Sequence, residues 1–490
     1  MEDNKAAVRV SKRTFITAII ILGILMIVSG ILTYVIPAGS YDRTVSEGRE
    51  IIRQGTFHFT ESPGFPVWRW LTAPAEVLWS ADGPTVIVII FFLLAIASAI
   101  SLLDKSYVLS SAIARIVRRF MRRKYLLMAV IVFFFMLTGA VLGTFEENIA
   151  LVPIAIALAY SLKWDSLVGL GMSMLASCFG FTAAITNPFS IAITQRIAEL
   201  PLYSGSLFRI IVFLAFYGLI MLFLVRYAKR IEKDPEKSMV YGGDNEIRAK
   251  YASAEGLETA LGDKTPEERA KINRAMRVFG ISILAIFALI IAASFISAIS
   301  DFVLPLIGVL FLTGSVIAAV TAGMRGKQIL KVIGKSCAGI APGILLILMA
   351  MSVKFIITHG GIMDTILYYA AGAIAGTSPF VAILLVYVLI LLLELFIGSS
   401  SAKAFLIMPL IAPLSDLVGI TRQTSVLAFC FGDGFSNMFY PTNPVLIICL
   451  GLTVVTYPKW VKWSFKLQLS AFVLACIFLG IGILIHLGPF

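Results

Sequence analysis

A helix-breaking triplet that occurs twice inside apolar sequence constrains this chain more than any other feature. Thr186-Asn187-Pro188 interrupts a run near the end of the first half, and Thr442-Asn443-Pro444 a matching run near the end of the second. Each follows a polar tip led by glycine: Gly143-Thr144-Phe145-Glu146-Glu147-Asn148, then Gly398-Ser399-Ser400-Ser401-Ala402-Lys403. The spacing from tip glycine to threonine is 43 residues in the first half and 44 in the second. Open backbone at bilayer depth is tolerated only where protein buries it or water reaches it. Two such places at matching positions in two halves are the sequence mark of a secondary transporter.

The surrounding composition makes the bilayer the relevant solvent. Of 490 residues, 59% are hydrophobic and 14% charged, and the mean hydropathy is +0.95. A soluble domain carries about 25% charged residues. The net charge of +12 sits mostly in loops beside apolar runs. Positive-inside bias therefore accounts for it, rather than nucleic-acid binding. Cys178, Cys337, Cys430, Cys449 and Cys476 show no CxxC pattern and no paired histidines, which excludes a disulfide framework or zinc centre. Residues 15–36 are long enough to span and lack a small-residue cleavage site, so they read as a retained first helix.

These signals predict an all-α polytopic membrane protein of about nine spans, containing an inverted repeat with two re-entrant hairpins and two broken helices. Residues 1–14 are a basic cytoplasmic N-terminus. The first repeat runs over 15–225, with a hairpin at 125–162 and a broken helix at 166–200. Arg115, Arg118, Arg119, Arg122, Arg123 and Lys124 mark a basic amphipathic helix on the cytoplasmic face. The stretch 125–162 has two readings, a pair of short spans or a hairpin with both ends cytoplasmic. The two glutamates at its tip favour the hairpin. A cytoplasmic linker follows at 226–277, then an extra span at 278–299. The second repeat, 303–490, has its hairpin at 379–417 and its broken helix at 421–455. This order places the C-terminus outside.

The polar residues suggest two kinds of site. Proline removes an N–H and disfavours helix at Asn187 and Asn443 before it. The freed carbonyls, with the oxygens of Thr186, Asn187, Thr442, Asn443, Ser436 and Asn437, suit Na⁺ as a coupling ion around Pro188 and Pro444. The competing reading is a kink capped by Thr and Asn. Ser399, Ser400 and Ser401 open a helix whose N–H groups favour a carboxylate. Lys403 behind them is an intramembrane charge, functional by default, or else a structural partner of Glu394 or Asp433. Glu146 and Glu147, with Thr144 and Asn148 beside them, suit a proton, a cation or a substrate amine, or else cap the following helix. Asp433 is a similar case. Lys354 and His359 read as interfacial residues. No further cofactor is implied; H⁺ and Na⁺ are the coupling candidates. Protease and zinc-enzyme patterns are absent, and a channel fits paired hairpins less well than a carrier.

The segments Met408-Pro409-Leu410-Ile411-Ala412-Pro413-Leu414, Asp416-Leu417-Val418-Gly419, Phe431-Gly432-Asp433-Gly434-Phe435-Ser436 and Tyr440-Pro441-Thr442 carry a family resemblance. Gly143, Glu146-Glu147 and Asn187-Pro188 carry it in the first half. The chain resembles the YfcC-like branch of the DcuC-type C4-dicarboxylate carriers, in the ion transporter superfamily. That resemblance implies a homodimer in the bacterial inner membrane. Each subunit would have a scaffold and a mobile transport part, with substrate and coupling ion held between tips and broken helices. It implies a C4-dicarboxylate or other small carboxylate as substrate, by symport or exchange. An amino acid, including a basic amino acid exchanged by antiport, is the alternative.

Overall fold

The computed structural model describes residues 12–46, 49–53, 55–61, 64–244, 265–295 and 302–488. Most of the expected cytoplasmic N-terminus, linker residues 245–264, the end of the extra span and the final two residues lie outside them.

Apolar sequence closes its backbone hydrogen bonds within helices, because lipid offers no partner. Nine described helices are long and apolar enough to cross a membrane. Their membership differs from the expected set. Lys124–Val141, one arm of the first hairpin, qualifies by length, whereas the stretch expected as one broken span at 421–455 is divided into Arg422–Gly434 and Pro444–Gly451. The helix Gly326–His359 is 34 residues long and carries Pro342 inside it. Outside the helices, the segment after Val35 forms two small antiparallel sheets, Gly39–Ser40 with His58–Phe59 and Arg43–Ser46 with Arg49–Ile52. Arg43 grips both carboxylate oxygens of Asp364, at 2.9 and 2.8 Å, and ties this segment to helix Met363–Ala375.

The helices sort into two bodies. Lys12–Val35, Gly83–Lys105, Pro266–Phe295, Val303–Thr321 and Gly326–His359 pack mainly on one another. The other body joins Lys124–Val141, Ser166–Ala183, Ser206–Lys233, Pro379–Glu394, Ser400–Leu417, Arg422–Gly434 and Tyr457–Leu484. Within it backbones approach closely: a Cβ at Gly180 would stand 1.9 Å from the Met136 carbonyl oxygen. Small residues permit such contact where apolar burial gives little drive, since lipid is as apolar as leucine.

Long-range contacts put both ends of the 124–161 stretch on one side, as either reading requires, and the length of its second arm favours the hairpin. Glu232, near the end of Ser206–Lys233, binds both ends of the 124–161 stretch. Lys124 Nζ lies 2.7 Å from Glu232 Oε1, Tyr125 donates at 2.8 Å to Oε2, and the Trp164 indole N–H donates to Oε1. The chain therefore enters and leaves this hairpin on one side. Its second arm, Glu147–Ser161, is shorter than a spanning helix requires. The second hairpin is rooted at the opposite end of Ser206–Lys233. Gly419, after its second arm, lies beside Pro379, which begins its first. Arg422 pairs with Asp416 and with Glu199, each at 2.8 Å, and Gln423 donates at 2.8 Å to the Ser204 carbonyl.

The linker as far as Asp244 is locked to the base of the first hairpin. Asp244 accepts from the Ser166 N–H at 2.9 Å and from the Tyr160 hydroxyl at 2.7 Å. Asp165 caps the same helix, accepting from the Val168 N–H at 3.0 Å, and takes the Tyr227 and Ser238 hydroxyls at 2.6 and 2.7 Å. Burial, with the Asp165 charge nearby, pushes the Asp244 carboxyl up to about 6 from 3.8, despite its donors. Between these values the folded chain holds a proton that the unfolded chain releases. Stability is then expected to fall as pH rises from about 4 to about 6, and to level off above that. Thermal unfolding in detergent across this range checks it; Asp244→Asn removes this group's share of the slope.

Candidate functional site

In the first half, the repeated triplet joins one helix end to another. The last carbonyls of helix Lys124–Val141 have no partners within the helix. The Thr186 N–H donates to the Ala140 carbonyl at 3.1 Å, the Thr186 hydroxyl to Val141 at 3.2 Å, and the Asn187 amide to Gly139 at 3.4 Å. Asn187 Oδ1 also accepts from the Phe189 and Ser190 N–H groups, at 2.8 and 3.2 Å, ahead of helix Ile191–Ile197. The tip glycine fits against this asparagine. Gly143 has φ +70°, and a Cβ there would stand 2.3 Å from Asn187 Oδ1.

In the second half the same parts meet with different bonding. Asn443 Oδ1 caps helix Pro444–Gly451 by accepting from the Val445 N–H at 2.9 Å, while its amide donates to Asn437 Oδ1 at 2.6 Å. Gly398 again faces the asparagine, but loosely: a Cβ there would be 3.9 Å from Asn443 Nδ2. The carbonyl oxygens of Asn187 and Asn443 thus serve backbone N–H groups in this conformation, as caps do.

Between the two tips lies a cavity of about 370 Å³. Glu146 and Glu147 reach it from tip one, and Ser399, Ser400 and Ser401 from tip two. Asn437, Thr442, Asn443 and Pro444 add the wall of the second broken helix, and the other body closes it with Asp82, Thr85 and Lys354. Glu147 Oε2 accepts from the Phe145 N–H at 3.0 Å. Ser399 caps helix Ser400–Leu417 by accepting from the Ala402 N–H at 3.4 Å, and residues 399–402 at that helix start line the cavity. Among the described residues, three carboxylates and one lysine line the cavity, and the lysine is engaged: Lys354 Nζ is 2.7 Å from Asp82 Oδ1.

The remaining expected residues lie behind this surface. Thr144 and Asn148 are buried, and Asn148 staples tip one by donating to Thr138, to the Thr144 carbonyl and to Ser177, at 3.2, 3.0 and 2.9 Å. Thr186, Asn187 and Pro188 sit one layer back, with the neighbouring Phe189 in the cavity wall. Ser436 donates at 2.7 Å to the Gly432 carbonyl and does not line the cavity. Lys403 and Asp433, expected to touch substrate, are fully buried beneath tip two, where Lys403 pairs with both Asp433 and Glu394. A buried ammonium is stable only when paired, and Glu394 and Asp433 supply the partners.

Three residues escaped the sequence reading of the site. Asp82 and Lys354 are 272 positions apart, and each alone looks like an interfacial charge. Arg209 is buried at the start of Ser206–Lys233 and donates to the Ile185 carbonyl, just before the first triplet, at 3.0 Å. A single arginine near a helix start carries no local sign of that task.

Residues 15–484 match the family model described as DcuC, C4-dicarboxylate anaerobic carrier. The chain is similar to a protein of Escherichia coli K12 named "Putative basic amino acid antiporter YfcC", 28% identical over 94% of each chain. It is also similar to an uncharacterised protein of Haemophilus influenzae, 25% identical over 76% of this chain and 71% of that one. Among solved structures it resembles the Alcanivorax borkumensis YdaH transporter, with a TM-score of 0.42 and 18% identity, covering 97% of this chain and 99% of that one. It resembles Neisseria gonorrhoeae MtrF, described as an antimetabolite efflux pump, with a TM-score of 0.40 and 15% identity over 94% of each. The chain is a polytopic membrane transporter and not an enzyme, and it belongs to the C4-dicarboxylate anaerobic carrier family.

Proposed function

We propose that this chain is a secondary carrier for a small carboxylate-bearing solute that also carries a positive charge, a basic amino acid being the best fit. The observation behind this reading is the charge of the cavity: among the described residues, Asp82, Glu146 and Glu147 against Lys354, with Lys403 withdrawn. Such a wall attracts a cation. The N-terminus of helix Ser400–Leu417 would take the solute carboxylate, since a helix start favours an anion. Amine toward tip one and carboxylate toward tip two would then bridge both halves. The name of the E. coli relative points the same way. A C4-dicarboxylate, which the family description favours, has the serine-lined helix start on its side. Its second carboxylate would face Glu146 and Glu147.

The division into two bodies with the cavity between them supports an elevator mechanism, in which the hairpin body slides along the other. Hairpins rooted at opposite ends of one helix support the inverted repeat. The basic residues at 115–124, 226–233 and 325–335 support a cytoplasmic N-terminus in an inner membrane. In that orientation the cavity opens outward, because Asp82 and Lys354 lie near the outer ends of their helices.

Uptake into proteoliposomes tests the reading, using lysine, arginine, neutral amino acids and C4-dicarboxylates under imposed H⁺ or Na⁺ gradients. Saturable uptake and counterflow of basic amino acids is the expected result. Uptake confined to dicarboxylates would replace this substrate class, and single-channel currents without counterflow would replace the carrier.

A further inference from the structure

Beneath tip two, three charged side chains meet out of reach of the cavity. Lys403 lies one turn into the second arm of the hairpin, Glu394 ends the first arm, and Asp433 sits in the adjoining broken helix. The Lys403 ammonium contacts a Glu394 oxygen and lies 2.9 Å from Asp433 Oδ1. All three are at most 2% exposed. Glu394 Oε1 and Asp433 Oδ2 have no hydrogen-bond donor among the described residues. Glu394 Oε1 lies near tip glycine Gly398, as does the Asn443 amide.

Two carboxylates around one ammonium form an oxygen-lined pocket holding a cation. The oxygens left without donors are hard ligands of the kind that hold Na⁺ or K⁺. What distinguishes the ammonium is its tether to the chain. Removing it would leave two uncompensated carboxylates in a dry site, which is strongly unfavourable. A dissolved monovalent cation would restore the same total charge in the space vacated.

We propose that Lys403 is a tethered cation: its ammonium fills a monovalent-cation site made by Glu394 and Asp433, and dissolved Na⁺ or K⁺ takes its place when the side chain is cut back. In the native chain, tip two is held to the broken helix by a charge that cannot dissociate. Closure of that hairpin therefore draws on no dissolved cation at this place. The inference goes beyond the carrier reading and its test needs no solute, so either can fail alone.

The test is thermal unfolding of purified wild type and Lys403→Ala in choline, sodium, potassium and lithium chloride at equal ionic strength. Wild type is expected to unfold at the same temperature in all four. Lys403→Ala should unfold earlier in choline and recover several degrees, saturably, in Na⁺ or K⁺, as binding to the folded state alone requires. The double variant Lys403→Met with Glu394→Gln keeps one carboxylate and should show no cation dependence. A Lys403→Ala protein indifferent to cations, or not recovered folded even in high NaCl, would overturn the proposal. So would an equal cation response in wild type or in the double variant, because the site would then lie elsewhere.

Discussion

Gly143→Ala is expected to lower uptake by about tenfold or more, while Gly398→Ala leaves it close to wild type. Gly143 holds φ +70°, a left-handed conformation that costs an L-residue about 1–2 kcal/mol. The added methyl would also stand 2.3 Å from Asn187 Oδ1 and 2.8 Å from a Phe189 ring carbon. Asn187 bridges the end of one helix and the start of another, so it has no freedom to retreat. Relief must come from tip one, which carries Glu146 and Glu147 into the cavity. A barrier or population change of about 1.4 kcal/mol is already a factor of about ten. At Gly398 no left-handed angle is needed, and the nearest atoms to an added Cβ are 3.9 Å away, an ordinary contact. Initial uptake rates per folded carrier measure both. Equal effects at the two glycines would contradict the tight seating of tip one against Asn187.

Neutralising tip one should change which solutes bind. In Glu146→Gln with Glu147→Gln, the cavity lining keeps only Asp82 and Lys354, which already pair with each other. A charged hydrogen bond contributes about 1.5–3 kcal/mol, which is about 10- to 100-fold in affinity. Basic amino acids are expected to lose affinity on that scale, and a neutral amino acid of similar length to lose much less. Competition against radiolabelled solute gives the ratio directly. A variant that loses both equally would mean that the glutamates shape the tip rather than recognise the amine.

The amount of this legible from sequence depended on how local each signal was. The triplets, the tips and their near-equal spacing are contiguous, so their place in two broken helices could be read from Thr186-Asn187-Pro188 and Thr442-Asn443-Pro444. The hairpin could not be separated from two short spans, because both put the chain ends on one side; only the folded chain shows a second arm, Glu147–Ser161, too short to span and a tip that meets tip two in one cavity. The lysines show the same limit. Lys403, beside a serine-rich tip, looked like a substrate residue, yet it folds inward because Glu394 and Asp433 are there to pair it. Lys354, in a plain apolar helix, looked like an interfacial charge, yet it lines the cavity because Asp82 meets it from a helix far earlier in the chain. Sequence shows that a charge lies at depth; only packing decides whether it faces the cavity or the interior.

The solute is expected to sit in the cavity between both tips and the facing helices. Ser401→Cys places a thiol on its wall, in a background where the partly exposed Cys337 and Cys476 are replaced. A membrane-impermeant thiol reagent added from outside should label that cysteine. Lysine or arginine at saturating concentration should slow the labelling, and succinate should not. Labelling at the same rate with and without a solute that the protein demonstrably transports would contradict the account.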